Sequence, residues 1–171
     1  INALGIWREA LYVFCTGSVH RLTGNSATDF AEAPVTERLG CEHGHTVKEV
    51  AGDLFFLSND GIRTISGTEQ SGDISLDSVS KTLKKKVKSL NTDYASGIIS
   101  SILVPSKGQY RLFGSDTALT TQPTVDGINF CITENLQEQT KIVLFPIYGI
   151  NVSTGDSDFA NGLELVVHGS E

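Results

Sequence analysis

The sequence predicts an all-β protein assembled from repeated antiparallel hairpins, and three observations carry that prediction. The first is an internal repeat. Residues 9–24 read as an apolar and aromatic strand, a tight polar turn, a second short strand and a closing glycine, and residues 52–67 read the same way. Leu11 aligns with Leu54, 43 positions on, which falls within the period of roughly 40–50 residues expected of four-stranded blades. The second is turn chemistry: Asn59-Asp60-Gly61 separates two apolar runs, and Asp-Gly readily supplies the positive φ angles of the primed hairpin turns. The third is composition. Seventeen glycines against 4 prolines, with 39% hydrophobic and 19% charged residues, describe a turn-rich globular chain rather than a disordered one.

Taken in order, residues 9–24 form the first hairpin, with Thr16-Gly17-Ser18 as its turn. Residues 33–39 and 46–51 are the next strand candidates, followed by the second hairpin at 52–67. Residues 75–90 break the β pattern. Leu76, Val79, Leu83, Val87 and Leu90 recur at spacings of three and four, the signature of one short amphipathic helix, whose other face carries Lys81, Lys84, Lys85, Lys86 and Lys88. Strand candidates resume at 97–104, 127–132 and 141–150. Tyr110–Asp116 and Leu165–Glu171 echo the repeat as an apolar strand running into a Gly-Ser-acid turn, their glycines 55 apart. The expected organisation is therefore a partial β-propeller of blade-like units near 1–44, 45–92, 93–139 and 140–171. The absence of an initial Met, and a last copy that stops on its turn, predict that residues 1–171 are a fragment of a longer propeller domain.

Charge and cysteine usage narrow the function classes. Thirteen Lys and Arg against 20 Asp and Glu give a formal charge of −7, which argues against a chain-wide nucleic-acid-binding surface. No apolar run approaches the roughly 18 residues of a membrane span. Cys15, Cys41 and Cys131 are odd in number and widely spaced, which suits buried thiols better than a disulfide framework. Asn151-Val152-Ser153 matches the glycosylation acceptor pattern, a pattern common by coincidence.

Four groups are candidates for chemistry. On an extended strand Cys41, His43 and His45 would point to one side and could converge on zinc, although a structural site wants a fourth ligand and only His20 is on offer. Lys84-Lys85-Lys86 could touch phosphate, but without interleaved aromatics for base stacking it reads first as a solvated helix face. Asp156 and Asp158 lie in a segment read as a loop that lacks the ligand series of a calcium site. Trp7 sits in a strand and reads as core rather than as a sugar-stacking platform. Gly-x-Ser-x-Gly, His-Glu-x-x-His and phosphate-cradling glycine loops are absent from the sequence. The expectation is a protein that is not an enzyme, with no catalytic, cofactor-binding or metal site.

Three stretches carry a family likeness. Leu11-Tyr12-Val13-Phe14 with Val19-His20-Arg21-Leu22-Thr23-Gly24 and Leu39-Gly40-Cys41, residues 52–66 followed by Ser75-Leu76-Asp77-Ser78, and residues 161–170 resemble virion structural proteins of tailed bacteriophages. The nearest family is the β-propeller tail nozzle, or tail tubular protein B, of short-tailed phages. The resemblance implies a structural role in the phage tail: a homo-oligomeric ring, a hexamer in that family, around the path of the genome during DNA ejection. It also implies an adaptor ring above and fibres or other tail parts outside, with no catalytic residues to carry over. Acidic walls would let duplex DNA pass without gripping it. The competing expectations are a carbohydrate-binding or receptor-binding propeller module and, further off, an enzyme on a propeller scaffold.

Overall fold

The computed structural model describes residues 1–50, 52–71, 84–115, 127–135, 138–147, 154–160 and 163–169. Among them the chain is mostly strand, and every strand pairing is antiparallel. The all-β class is thus observed among the described residues; closure of blades into a propeller is not. The chain divides into two compact units, Ile1–Val79 and Ser80–Glu171.

The first unit opens with a four-stranded meander of β1 (Ala3–Trp7), β2 (Ala10–Phe14), β3 (Val19–Thr23) and β4 (Ala31–Thr36). A three-stranded sheet follows, β5 (Lys48–Val50), β6 (Asp53–Ser58) and β7 (Gly61–Thr64). Strand alternation sends Trp7, Ala10, Tyr12 and Phe14 to one face of the first sheet, where they share a core with Leu54, Phe56, Ile65 and Cys41. The Phe14 and Phe56 rings meet at 5.2 Å between centroids in a tilted arrangement. The repeat at 43 residues pairs Tyr12 with Phe55, whereas the shared core uses Leu54 and Phe56. All of Leu54 to Ser58 is buried, so no polar alternate marks the face in the sequence.

The two hairpins turn differently, which corrects their common reading. The first closes with a four-residue loop in which the Cys15 N–H donates to Ser18 O at 2.9 Å, while Ser58 pairs directly with Gly61 across Asn59-Asp60. Neither Asn59 nor Asp60 takes a positive φ, and Gly61 (φ +145°) opens β7. Asp60 instead holds the corner by a two-pronged bond to Arg63, at 2.9 and 2.7 Å. The left-handed hairpin turn is Arg8-Glu9, with φ of 45° and 62°, between the paired Trp7 and Ala10. Neither residue is a usual choice there, and the Arg8 guanidinium lies 4.3 Å from the centre of the Trp7 ring.

A helix not foreseen from the sequence, α1 (Ile65–Ser71), ends the second hairpin early. Thr64 caps it, its Oγ1 accepting the Gly67 N–H at 3.2 Å. Asp53 accepts from the Ser66 N–H at 3.2 Å and from the Ser66 hydroxyl. These acceptors satisfy the first-turn donors and turn the chain into a helix where the repeat reads strand.

In the second unit, α2 (Lys84–Asp93) buries Val87 and Leu90 and exposes Lys85 and Lys88, as the amphipathic pattern requires. The N-terminal part of the expected helix, with Leu76, Val79 and Leu83, lies outside the described residues. The meander β8 (Ile98–Val104), β9 (Gln109–Ser115), β10 (Gly127–Asn135) and β11 (Glu138–Ile147) follows, then the hairpin β12 (Thr154–Ala160) and β13 (Leu163–Gly169). This third sheet runs past the expected unit boundary near 139. Gly114 and Gly169 are strand residues rather than turns. At Gly114 the reason is contact: a Cβ there would lie 2.2 Å from the Tyr94 ring. Asp156 and Asp158 likewise stand on β12, paired with Val167 and Leu165, and not in a loop.

Glu9→Gly should raise stability by about 0.5–1 kcal/mol, because Gly relieves the left-handed strain and gives back only part of that in unfolded-chain entropy. Chemical denaturation of the two proteins measures it; an unchanged or lower midpoint would contradict the strain argument.

Candidate functional site

Cys41, His43 and His45 do not converge. The segment is not extended: Gly44–Thr46 is a 3-10 turn, which destroys the alternation a three-ligand face needs. The Cys41 thiol is fully buried and bonds to His43 O at 3.2 Å, with Thr46 Oγ1 3.5 Å away. Burial pushes this thiol up from its ordinary pKa and pushes the His43 imidazole down. Thr46 is the hub. Its hydroxyl donates to His43 O at 2.7 Å and accepts the Leu57 N–H at 3.1 Å, fastening the link between the two sheets to β6. Among the described residues no group of three or more His, Cys, Asp or Glu side chains is placed to hold a metal ion.

His20 does not turn toward that cluster. Its Nδ1 meets Glu32 Oε1 at 2.6 Å and its Nε2 meets Ser18 Oγ at 2.9 Å. That is the connectivity of a nucleophile, a base and an orienting carboxylate, and sequence reasoning missed it because Glu32 arrives from the neighbouring strand. The chemistry does not follow from the connectivity. The Glu32 side chain is 58% exposed, and a relay gains catalytic strength only in a preorganised, water-excluded site. The His20–Glu32 contact links β3 to β4 beside the slip in register between Val19 and His20.

A second polar cluster spans β2, β3 and α1. The Tyr12 hydroxyl, on a side chain only 2% exposed, donates to Glu69 Oε1 at 2.8 Å, and Arg21 Nη1 reaches the same oxygen at 3.3 Å. Burial, then the Glu69 carboxylate, pushes the Tyr12 phenol up to about 12. Beside it an open cleft of about 360 Å³ is lined by Arg21, Ala33, Pro34, Val35 and Glu69. Its charges already neutralise one another, and the arrangement serves as a brace between sheet and helix. The partners stand 48 and 57 residues apart, so no local motif announces them.

Trp7 is 6% exposed, donates to Gly52 O at 2.6 Å and is capped by Arg8; its faces offer no sugar platform. Phe55, the aligned partner of Tyr12, is also buried. The opposite face of the first sheet is different. Strand alternation places Leu4, Ile6, Leu11, Val13 and Leu22 there, and Leu4 and Ile6 are 59% and 73% exposed. Phe30, 59% exposed, joins Ile6, Leu11 and Leu22 around a shallow groove of about 360 Å³. Of the five large apolar residues that stand exposed among the described ones, Leu4 and Ile6 lie on this sheet and Phe30 immediately precedes its strand β4.

Thr46→Val should cost about 1–3 kcal/mol, because it leaves the buried Leu57 N–H without its acceptor; urea unfolding reads the loss, and a change below a few tenths would refute the hub. The raised Tyr12 pKa has a definite sign. Above the ordinary value of 10.0 an unfolded chain releases the phenol proton and the folded one keeps it, so this contribution is intact below pH 10 and is lost between pH 10 and about 12. Tyr12→Phe should therefore flatten the fall in stability over that window, and equal slopes for both proteins would exclude the assignment. No helix among the described residues is long and apolar enough to cross a membrane. No protein-family model matches the chain, and no curated protein is significantly similar to it.

Proposed function

We propose that this chain is a structural segment of a phage tail, a nozzle-like propeller part that acts through its shape. In this reading, copies assemble into a ring, six in the family it resembles, around the path of the ejected genome. Neighbouring tail proteins then contact its loops: an adaptor ring above and fibres outside.

The observation that carries the reading is the stacking inside the first unit. A four-stranded antiparallel meander lays one face on the next sheet of the chain through Phe14 and Phe56, which is how blades bury a core without a chemical site. Two further features agree. The polar clusters at Ser18–His20–Glu32 and Tyr12–Arg21–Glu69 are satisfied within the fold, and the net charge of −7 suits a wall past which DNA slides rather than binds. The burial of Trp7 weighs against the carbohydrate-binding alternative.

Antibody raised against the chain should label the distal end of the tail in particles that carry this sequence, seen by immunogold electron microscopy. Label confined to the capsid, or absent from the particles, would overturn the reading. Glycan binding by the isolated chain, with no particle label, would favour the receptor-binding module instead.

A further inference from the structure

We infer that the open face of the first sheet is a pairing surface for a second copy of this chain, packed face to face about a twofold axis. This inference does not rest on the tail reading; it rests on the sheet alone.

The first argument is one of area. Leu4, Ile6 and Phe30 are 59%, 73% and 59% exposed, and with the partly exposed Leu11, Val13 and Leu22 they present roughly 450 Å² of apolar surface. A stable interface takes about 800 Å² from each partner, of which roughly 60% is apolar. The face therefore supplies the apolar core of a standard interface and leaves the remainder to its polar rim. Glu9 at the Arg8-Glu9 turn and the paired His20 and Glu32 provide that rim.

The second argument is shape. In a twofold contact each surface must carry both halves of the fit, since residue i of one copy touches j of the other and j touches i. This face does. Ile6 stands out at 73% exposure at the edge of the groove floored by Leu11 and Leu22 and walled by Phe30. A projecting side chain beside a hollow of about 360 Å³ lets the Ile6 of each copy enter the groove of the other. The opposite face of the same sheet already packs on a sheet, through Phe14 and Phe56, so apolar sheet-on-sheet contact is a mode this sheet uses.

Charge gives the pairing a distinctive signature. Each copy carries −7, so like charges oppose association while apolar burial drives it. Added salt screens the first and leaves the second.

Sedimentation of the 171-residue chain from micromolar to hundreds of micromolar should show a monomer–dimer equilibrium that tightens between low salt and about 0.5 M salt, where surface charges are screened within a few ångströms. Leu4→Thr with Ile6→Thr should weaken pairing about 100-fold or more, from the loss of two buried aliphatic side chains. Both sites are exposed strand positions that accept threonine, and circular dichroism verifies the fold of the variant. Ile98→Thr, an exposed apolar residue on β8, should leave pairing unchanged. A monomer at every concentration overturns the inference, as does a dimer indifferent to the Leu4 and Ile6 changes. An assembly of any size that is indifferent to those two changes overturns it as well; neither result touches the immunogold test of the tail reading.

Discussion

The first unit depends on bringing two sheets close enough for Phe14 and Phe56 to touch. Neither sheet could bury its apolar side chains alone, because they project out of the plane of the sheet and need a second layer above them. Contact between the rings sets which alternate residues of β2 and β6 face inward. The peripheral bonds then fall into place: Trp7 donates to Gly52 O, Thr46 ties the connecting turn to Leu57, and the Tyr12 hydroxyl reaches α1 through Glu69. The Trp7 bond links the first sheet to the chain of the second, and the other two fix the connecting turn and α1 against this packed pair. Packing sets the geometry, and the hydrogen bonds make that geometry unique.

How much of this was legible in the sequence depends on the range of the interaction concerned. The strands at 9–24 and 52–64, those at 97–104, 110–113, 127–132 and 141–147, and the lysine-bearing helix face follow from local periodicity, which a reader can count, whereas β12 reads as a loop. The turns were less legible. Asp60-Gly61 carries the composition of a primed turn, yet Asp60 is committed to Arg63 and the left-handed turn falls to Arg8-Glu9, where the Trp7 ring holds the arginine. The α1 helix was hidden because its caps come from Thr64 and from Asp53, 13 residues from Ser66. The alternation of β6 was hidden because it is buried throughout.

The candidate site illustrates the same limit from the other side. Cys41, His43 and His45 form a tempting pattern on paper, and one 3-10 turn dissolves it. Ser18, His20 and Glu32 show no pattern on paper, and a cross-strand neighbour assembles them. Close approach of titratable groups is therefore a weak guide to chemistry unless the site also excludes water, and here the relay stands at the surface. The well-buried groups, Cys41 and Tyr12, are held in their neutral forms by burial, which suits structure better than reaction.

The slipped register of β4 has one more consequence. This strand lies at the margin of its sheet, where unpaired backbone groups invite another chain to add on and continue the sheet without end. Pro34 lacks an N–H to offer, and the bulge beside it bends the ladder that an incoming strand would have to match. The His20–Glu32 contact ties the two strands together beside that bulge. The margin is thus poorly suited to fibril-like growth, whereas the broad face of the sheet carries the exposed Leu4 and Ile6.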